Sequence, residues 1–362
     1  MRAARVTPGD APPARISPGV KAVPVLAPAM APTLDLLIGP ADHDSVDTMA
    51  DQAGQAEELG FSYVSMGETT GWNIIPVMAV LADRTEEIGI TDDVLSPYSR
   101  APTTLAQAAL TLDDIADGRY RLGLGTSSPA LAERWHGQAF DRPLRRLRET
   151  IDVVREVYSG DSVTYEGEIF EFGGMSYGGD APEDPPAIDV SAFGPKTVEL
   201  AGRFGDGWVP QLLTPDGLRD RLEDLRRGAD LGDRDPEAIR VAPIVRAFAD
   251  EDRELAREQA RGQVAFLIGA YGPYYGNSVA RQGYESVVED IRDAWEDRDT
   301  EAMAARLPDE LLDRLAAAGT PDEVCERVDE FAAVDGVDAV RLGFVSGMTL
   351  DQKAATMRAV AE

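Results

Sequence analysis

Cysteine, histidine and lysine are scarce in this sequence of 362 residues. The single cysteine, Cys325, excludes an intramolecular disulfide and is typical of a reducing compartment. Two histidines, His43 and His136, are too few for a histidine-rich metal site, so we predict that no metal is bound. Only three lysines occur, which draws attention to the position of each of them.

Long apolar runs are absent as well. No stretch approaches the roughly 18 uninterrupted apolar residues of a membrane span. A hydrophobic content of 43% is nevertheless sufficient for a large buried core. These features predict a soluble globular protein.

Acidic residues dominate the charge. Sixty-five acidic residues against 35 basic ones give a formal net charge of −30. Such a surface repels itself in dilute buffer and is tolerated where salt screens it, so we predict a halophilic, cytoplasmic protein. The alternative is an acidic chain built for a basic partner. Nucleic acid and anionic membranes are poor partners for this surface, and we expect neither.

The first 32 residues differ from the rest of the chain. They are rich in proline and show no sustained apolar period, which predicts a disordered extension over residues 1–32. The prolines within the short apolar stretch at 20–31 argue against an export signal. Met30 directly precedes the first predicted strand and is a second candidate for the start of translation.

From residue 33 onward, strand-like and helix-like segments alternate to the end of the chain. We predict a single α/β domain over residues 33–362, a (β/α)8 TIM barrel with a helical insertion over 250–319 before strand 8. A doubly wound sheet is the alternative. A hairpin is predicted at 163–172. The eight predicted strands are 34–38, 61–66, 88–95, 120–125, 187–193, 207–213, 239–249 and 337–344.

In such a barrel, function lies on the loops that follow the strands. The loop after the fourth strand reads Gly-Leu-Gly-Thr-Ser-Ser at 123–128 and lacks the third glycine of a dinucleotide fingerprint. After the fifth strand, Gly194 and Pro195 open a helix, and Lys196 lies in its first turn. Free N–H groups at a helix start bind anions, so we predict a phosphate site here. The alternative is an ordinary helix start with a lysine that faces solvent.

Acidic residues follow the second and third strands. Asp92 and Asp93 are adjacent, and neighbouring strand residues point to opposite faces, so at most one of them should line the barrel. Glu68, at the end of the second strand, is the better single candidate for an acid of the site. Each of these residues could equally be a satisfied loop carboxylate.

The insertion contains a segment rich in tyrosine and glycine at 270–276. We predict that this segment covers the pocket as a lid. The alternative is a packing segment at a contact between subunits.

Five segments, in this order, resemble the luciferase-like flavin/deazaflavin oxidoreductase family, and most of all its coenzyme F420-dependent branch, which includes methylenetetrahydromethanopterin reductase. The matching segments are AEELGFSYVSMGE (56–68), VLSPYSRAP (94–102), TLDDIADGRYRLGLG (111–125), VTYEGEIFEF (163–172) and SAFGPKTVELAGRFGDGWV (191–209).

This resemblance implies a deazaflavin across the mouth of the barrel, a small-molecule substrate and a homodimer. It also implies that the peptide bond between Asp93 and Val94 is cis and that Glu68 is the acid that assists protonation of the substrate. The implied cofactor-binding residues are Asp93, Val94, Ser96, Thr126, Ala132, Ala192, Phe193, Gly194, Pro195 and Lys196.

The sequence departs from the F420-dependent alcohol and sugar-phosphate dehydrogenases at two places. Glu68-Thr69 stands where several of them have Asp-His, and Ser127-Ser128 stands where they have Gly-Glu. We therefore expect an F420-dependent oxidoreductase that transfers hydride to or from a small organic substrate, with a methylene-tetrahydropterin or folate C1 carrier as a candidate. The alternatives are a monooxygenase that uses FMN, and a non-catalytic protein that binds F420.

Overall fold

A curled sheet of parallel strands forms the centre of the protein, as seen in a computed structural model. Its ten strands lie in the order β11-β10-β12-β1-β2-β3-β4-β7-β8-β9. The strands are β1 Thr33–Ile38, β2 Tyr63–Met66, β3 Gly89–Asp92, β4 Tyr120–Gly125, β7 Ala187–Ser191, β8 Gly207–Val209, β9 Arg240–Val241, β10 Ile244–Ala249, β11 Ala316–Gly319 and β12 Ala339–Phe344. The predicted α/β class is thus confirmed.

The structure describes residues 32–362, which form one compact unit. Apart from residue 32, the predicted disordered extension and Met30 lie outside the described residues. The described part of the chain contains no helix that is both long enough and apolar enough to cross a membrane.

Helices follow most strands and pack on the outside of the sheet. Six of them begin with proline, whose fixed φ suits the first helical position. The helices are α1 Val46–Glu58, α2 Ile74–Arg84, α3 Pro102–Ile115, α4 Pro143–Tyr158, α5 Pro195–Phe204, α6 Pro215–Leu231, α7 Arg253–Gly269, α8 Pro273–Val279, α9 Glu285–Glu296, α10 Thr300–Ala305, α11 Asp309–Leu315, α12 Pro321–Ala332 and α13 Leu350–Ala361.

The predicted hairpin is confirmed as an antiparallel pair, β5 Ser162–Glu166 and β6 Glu171–Ser176. Its turn is held from the side by α4. The carboxylate of Glu149 accepts hydrogen bonds from the N–H groups of Glu168 at 2.9 Å, Ile169 at 2.9 Å and Phe170 at 3.1 Å.

Several predicted boundaries were wrong. The third, fifth and sixth predicted strands end at residues 92, 191 and 209 and not at 95, 193 and 213, and two further differences change the elements themselves. The helical insertion was expected to reach Gly319, yet residues 316–319 form β11, which pairs with β10. Alanine favours helices, but complete burial beside β10 overrides that weak preference. The strand predicted at 239–249 is split into β9 and β10 around Pro243, which has no N–H to donate to a neighbouring strand.

Charged side chains lie among the apolar residues inside the curled sheet. Arg341 of β12 is fully buried, and its Nη2 lies 3.1 Å from Asp35 Oδ2 of β1. Arg121 of β4 pairs with the buried Asp189 of β7 at 2.5 Å. These two arginines thus meet carboxylates from other strands, which offsets the cost of burying charge.

Candidate active site

A large cavity opens at the carboxyl ends of the parallel strands. Its volume is about 1340 Å³, and it is lined by the loops after β1, β2, β3, β4 and β7, by residues of β10, by the end of β12, and by α7 and α8. The position agrees with the rule that ligands bind where parallel strands end.

The end of β3 contributes one acidic side chain to the cavity. Asp93 lines the wall, and its Oδ2 accepts a hydrogen bond from Arg341 Nη1 at 2.5 Å. Asp92 is fully buried behind the wall, where Tyr120 donates to its Oδ2. Only one of the two neighbours lines the cavity, as predicted. The peptide bond between Asp93 and Val94 is cis, which was also predicted.

Burial has a clear effect on Asp92. Removal from water raises the pKa of its carboxyl group from 3.8 to about 7, and the negative charges of Asp93 and Glu68 act in the same direction. The hydrogen bond from Tyr120 and one from the backbone of Gly123 oppose this rise without cancelling it. The Oδ1 atom of Asp92 has no partner among the described residues.

Glu68 lines the cavity in an ion pair. Its Oε2 accepts from Arg100 Nη1 at 2.5 Å, and its Oε1 accepts from Arg100 Nη2 at 2.7 Å. Such a two-pronged pair fixes both groups in orientation. Glu68 is therefore present in the cavity as the partner of a guanidinium group.

The start of α5 forms the opposite part of the wall. Gly194 precedes the helix, and its N–H donates to Thr197 Oγ1 at 3.0 Å. The N–H groups of the first helical turn have no partner within the helix. The Lys196 side chain is 78% exposed and pairs with Glu199 at 3.2 Å.

A second cation approaches this helix start from the insertion. Arg281 lines the cavity, and its Nη1 lies 3.8 Å from the point that a Cβ atom on Gly194 would occupy. Lys196, Arg281 and the N-terminus of α5 thus all border the cavity. This combination is suited to a phosphate group.

Aromatic residues of the insertion form another wall. Tyr271, Tyr274 and Tyr275 all line the cavity, and the ring of Tyr275 lies 4.7 Å from that of Phe193. Desolvation raises the pKa of the Tyr275 hydroxyl group well above its ordinary value. The tyrosine-rich segment thus borders the cavity. Its service as a movable lid remains a prediction.

Arg246, at the middle of β10, also lines the cavity. With the Gln211 amide oriented so that its oxygen faces the guanidinium group, that oxygen accepts from Nε at 3.0 Å and from Nη2 at 2.7 Å. Nη1 donates to the Phe344 carbonyl at 3.3 Å. Burial lowers the pKa of Arg246, and no ion pair joins it to a carboxylate of residues 32–362.

Nearly all predicted site residues meet at this cavity. Glu68, Asp93, Val94, Ser96, Thr126, Ala192, Phe193, Gly194, Pro195 and Lys196 line it. Ala132 does not, because its side chain is fully buried, while its neighbour Leu131 forms the wall.

The sequence did not point to Arg100, Arg246 or Arg281. Arginine is by far the commoner base in this chain, so its positions carry little signal. The closeness of Arg281 to Gly194 depends on a contact across more than 80 positions of the chain, which local patterns do not reveal.

Sequence comparisons place the chain beside characterised enzymes. The profile of the luciferase-like monooxygenase family matches residues 25–338. The 5,10-methylenetetrahydromethanopterin reductase of Archaeoglobus fulgidus is 30% identical over 291 residues, which are 80% of this chain and 86% of that protein. The F420-dependent glucose-6-phosphate dehydrogenase of Gordonia bronchialis is 30% identical over 259 residues, 69% of this chain and 71% of that protein.

Solved structures share the fold. The F420-dependent tetrahydromethanopterin reductase of Methanopyrus kandleri superposes with a TM-score of 0.76 at 22% identity, covering 92% of this chain and 98% of that chain. The oxygenating component of 3,6-diketocamphane monooxygenase from Pseudomonas putida, in complex with FMN, gives 0.68 at 19% identity, covering 92% and 97%. The predicted resemblance is confirmed: the chain belongs to the luciferase-like monooxygenase family.

Proposed function

We propose that this protein is an F420-dependent oxidoreductase that transfers a hydride between the deazaflavin and a small organic substrate. One observation carries the proposal. The residues after β3 and the cationic start of α5 line the same cavity at the strand ends. Relatives that match over 76% and 69% of the chain bear names of F420-dependent enzymes.

The residues present fit a cofactor with a phosphate group. The free N–H groups of the first turn of α5, Lys196 and Arg281 would hold the phosphate. Asp93, Val94, Ser96, Thr126 and the segment 192–193 would form the remaining contacts. When bound, the deazaflavin supplies the carbon atom that accepts or donates the hydride. The chain's own contribution is to orient the two reactants and to exclude water.

Glu68 requires a role that fits its surroundings. We propose that it acts on the substrate as an ion-paired hydrogen-bond acceptor, and not as the free acid that the resemblance implied. Both of its oxygens accept from Arg100, yet each carboxylate oxygen keeps a further lone pair for a substrate N–H or O–H.

The finer features of the fold support the same proposal. We interpret the curled sheet as a closed (β/α)8 barrel with the insertion before its last strand. In support, Ile244 N donates to Pro210 O at 2.8 Å on one side, while Pro243 O accepts from Arg341 N at 2.8 Å on the other. A methylene-tetrahydropterin or folate substrate, a homodimer and a cytoplasmic location remain predictions.

Binding titrations of the full chain in molar KCl, with F420 and FMN in parallel, test the proposal. We expect F420 to bind at least about tenfold more tightly than FMN. The double reversal Lys196→Glu with Arg281→Glu should weaken F420 by about tenfold, since two attractive charges become repulsive in a screened, exposed setting. Reversal at the exposed Arg358, on α13, is the matched control and should change little.

The opposite results are equally informative. Preference for FMN would favour the monooxygenase alternative, which the likeness to an FMN-containing structure makes the second candidate. Binding of neither cofactor would contradict the proposal. Tight F420 binding without turnover of any electron acceptor would favour a non-catalytic F420-binding protein.

A further inference from the structure

Arg246 is a partly buried arginine of the cavity wall that forms no ion pair with a carboxylate of residues 32–362. Arg341 pairs with Asp35 and Asp93, and Arg121 pairs with Asp189. Arg246 instead has only neutral acceptors within residues 32–362, namely the Gln211 amide and the Phe344 carbonyl. A positive charge that is partly removed from water and has no anionic partner favours an anion that enters the cavity.

The hydrogen bonds of Arg246 leave a defined edge free. A guanidinium group has five N–H bonds in a planar fork. The Gln211 oxygen takes the Nε bond and one Nη2 bond, and Phe344 takes one Nη1 bond. One N–H on Nη1 and one on Nη2 remain without a partner among residues 32–362. That pair matches the two oxygens of a carboxylate.

Three of the four acidic residues in the cavity lining already have cationic partners, and the fourth, Glu258, is exposed on α7 and forms no ion pair with Arg246. Asp93 pairs with Arg341 at 2.5 Å, and Asp42 pairs with Lys353 at 2.9 Å. Glu68 is held by Arg100. Burial lowers the pKa of Arg246, while Tyr275, Tyr271, Asp93 and Asp42 act in the opposite direction without forming an ion pair with it.

The position favours a substrate over the cofactor. Arg246 lies on β10, which is four places from β3 in the strand order, whereas the candidate ring contacts follow β3. Its neighbours Tyr271 and Tyr275 belong to the insertion that borders the cavity. A cavity wall that contains both a guanidinium group and aromatic rings suits a ligand that is apolar and planar except for a single acidic group.

We propose that Arg246, held in place by Gln211, is the substrate-recognition residue of this enzyme, and that its free edge binds a carboxylate of the substrate. This inference rests on the proposed function, because it takes the cavity to be the active site. It adds a chemical class of substrate: an organic acid with a planar, apolar body.

Benzoate and benzamide provide a matched pair of probes, because they share shape and differ in charge. Isothermal titration calorimetry of the full-length wild type in molar KCl should show that benzoate binds at least about tenfold more tightly than benzamide. This difference is expected because hydrogen bonds to a charged partner are stronger than those to a neutral one. Arg246→Gln should abolish the preference. Arg246→Lys should retain only part of it, since an ammonium group lacks the fork.

A second variant tests the same edge without removing the arginine. Gln211→Glu places a carboxylate beside Nε and Nη2. The negative charge balances the positive charge of the guanidinium group, so the preference for benzoate should also be lost. Arg358→Gln removes an exposed arginine far from the cavity wall and should behave as the wild type. Affinity for F420 should change less than threefold in every variant.

Three results would overturn the inference: no preference for benzoate in the wild type, a preference that survives Arg246→Gln, or a loss of F420 affinity above tenfold in that variant. The last would assign the edge to the cofactor. Failure of the wild type to bind F420 contradicts the proposed function alone, since the benzoate titrations contain no cofactor.

Discussion

At the scale of single residues, Asp92 is a side chain whose charge near neutral pH depends on the fold. In the unfolded chain its carboxyl group loses its proton near the ordinary value of 3.8, and in the folded protein near about 7. Between these two values the folded state therefore binds more protons, and the free energy of unfolding falls as pH rises.

Asp92→Asn removes this dependence while keeping an oxygen that can accept from Tyr120. The unfolding free energy of the wild type should fall from pH 5 to pH 8, while the contribution of position 92 in the variant stays constant. Over this range the stability of the variant relative to the wild type should therefore rise by about 2 kcal/mol. Urea unfolding at fixed KCl across this range measures the gain. Asp290→Asn, at an exposed position of α9, is the control and should show no such trend. Parallel curves for Asp92→Asn and the wild type would contradict the prediction.

Residue-scale prediction from the sequence succeeded where position along a strand decides the environment. Only one of Asp92 and Asp93 reaches the cavity, as strand alternation requires. Prediction from the sequence failed for residues whose environment is formed by distant parts of the chain. Asp35 and Arg341 are 306 residues apart, and nothing in a single sequence states that they meet. The same limit hid Arg246 and Gln211.

At the scale of elements, the contact between β3 and β4 depends on a missing side chain. A Cβ atom on Gly123 would lie 1.9 Å from the backbone oxygen of Asp92. A flexible side chain could move aside, but a strand backbone cannot. Any side chain at position 123 thus pushes β4 away from the strand that leads into the site.

Gly123→Ala should therefore destabilise the protein by at least about 3 kcal/mol, the upper range for overpacking. Gly54→Ala is the matched control, because Gly54 lies inside α1 with nothing within 4 Å of the added atom. That change should stabilise by about 0.5–1 kcal/mol, since alanine favours a helix. Urea unfolding compares the two variants. Equal stability of both would contradict a packing role for Gly123.

The order of elements could be predicted better than their limits. Alternating apolar runs and amphipathic helices, punctuated by proline and glycine, located the parallel strands that carry the site. The alanines of β11 were predicted to be helical because alanine favours helices. They form a strand because they pair with β10. The path of the insertion over the cavity depends on tertiary packing, which periodicity does not encode.

At the scale of the whole molecule, charge is the dominant property. The formal net charge of −30 comes from 65 acidic and 35 basic residues. Much of the basic complement is already engaged: Arg121 and Arg341, for example, pair with buried carboxylates. The excess acid therefore lies at the surface, where the charges repel one another more in the compact state than in the expanded unfolded chain.

Salt should consequently stabilise the folded protein. The Debye length falls from about 10 Å at 0.1 M to about 3 Å at 1 M, so the thermal midpoint should rise by on the order of 10 °C between 0.1 M and 2 M KCl. Two mechanisms predict this direction. Screening depends on ionic strength alone, whereas strengthened burial of apolar groups is greater for sulfate than for chloride.

Potassium chloride and potassium sulfate at equal ionic strength separate these mechanisms. If self-repulsion limits stability, the two salts should raise the midpoint equally below about 1 M ionic strength, and the rise should shrink near pH 5, where surface carboxylates begin to take up protons. If sulfate raises the thermal midpoint more than chloride at every ionic strength, the stabilisation comes from strengthened burial of apolar groups in the core. A midpoint that does not change with KCl would contradict the prediction of a salt-adapted surface, since a surface of this charge would then be stable without screening.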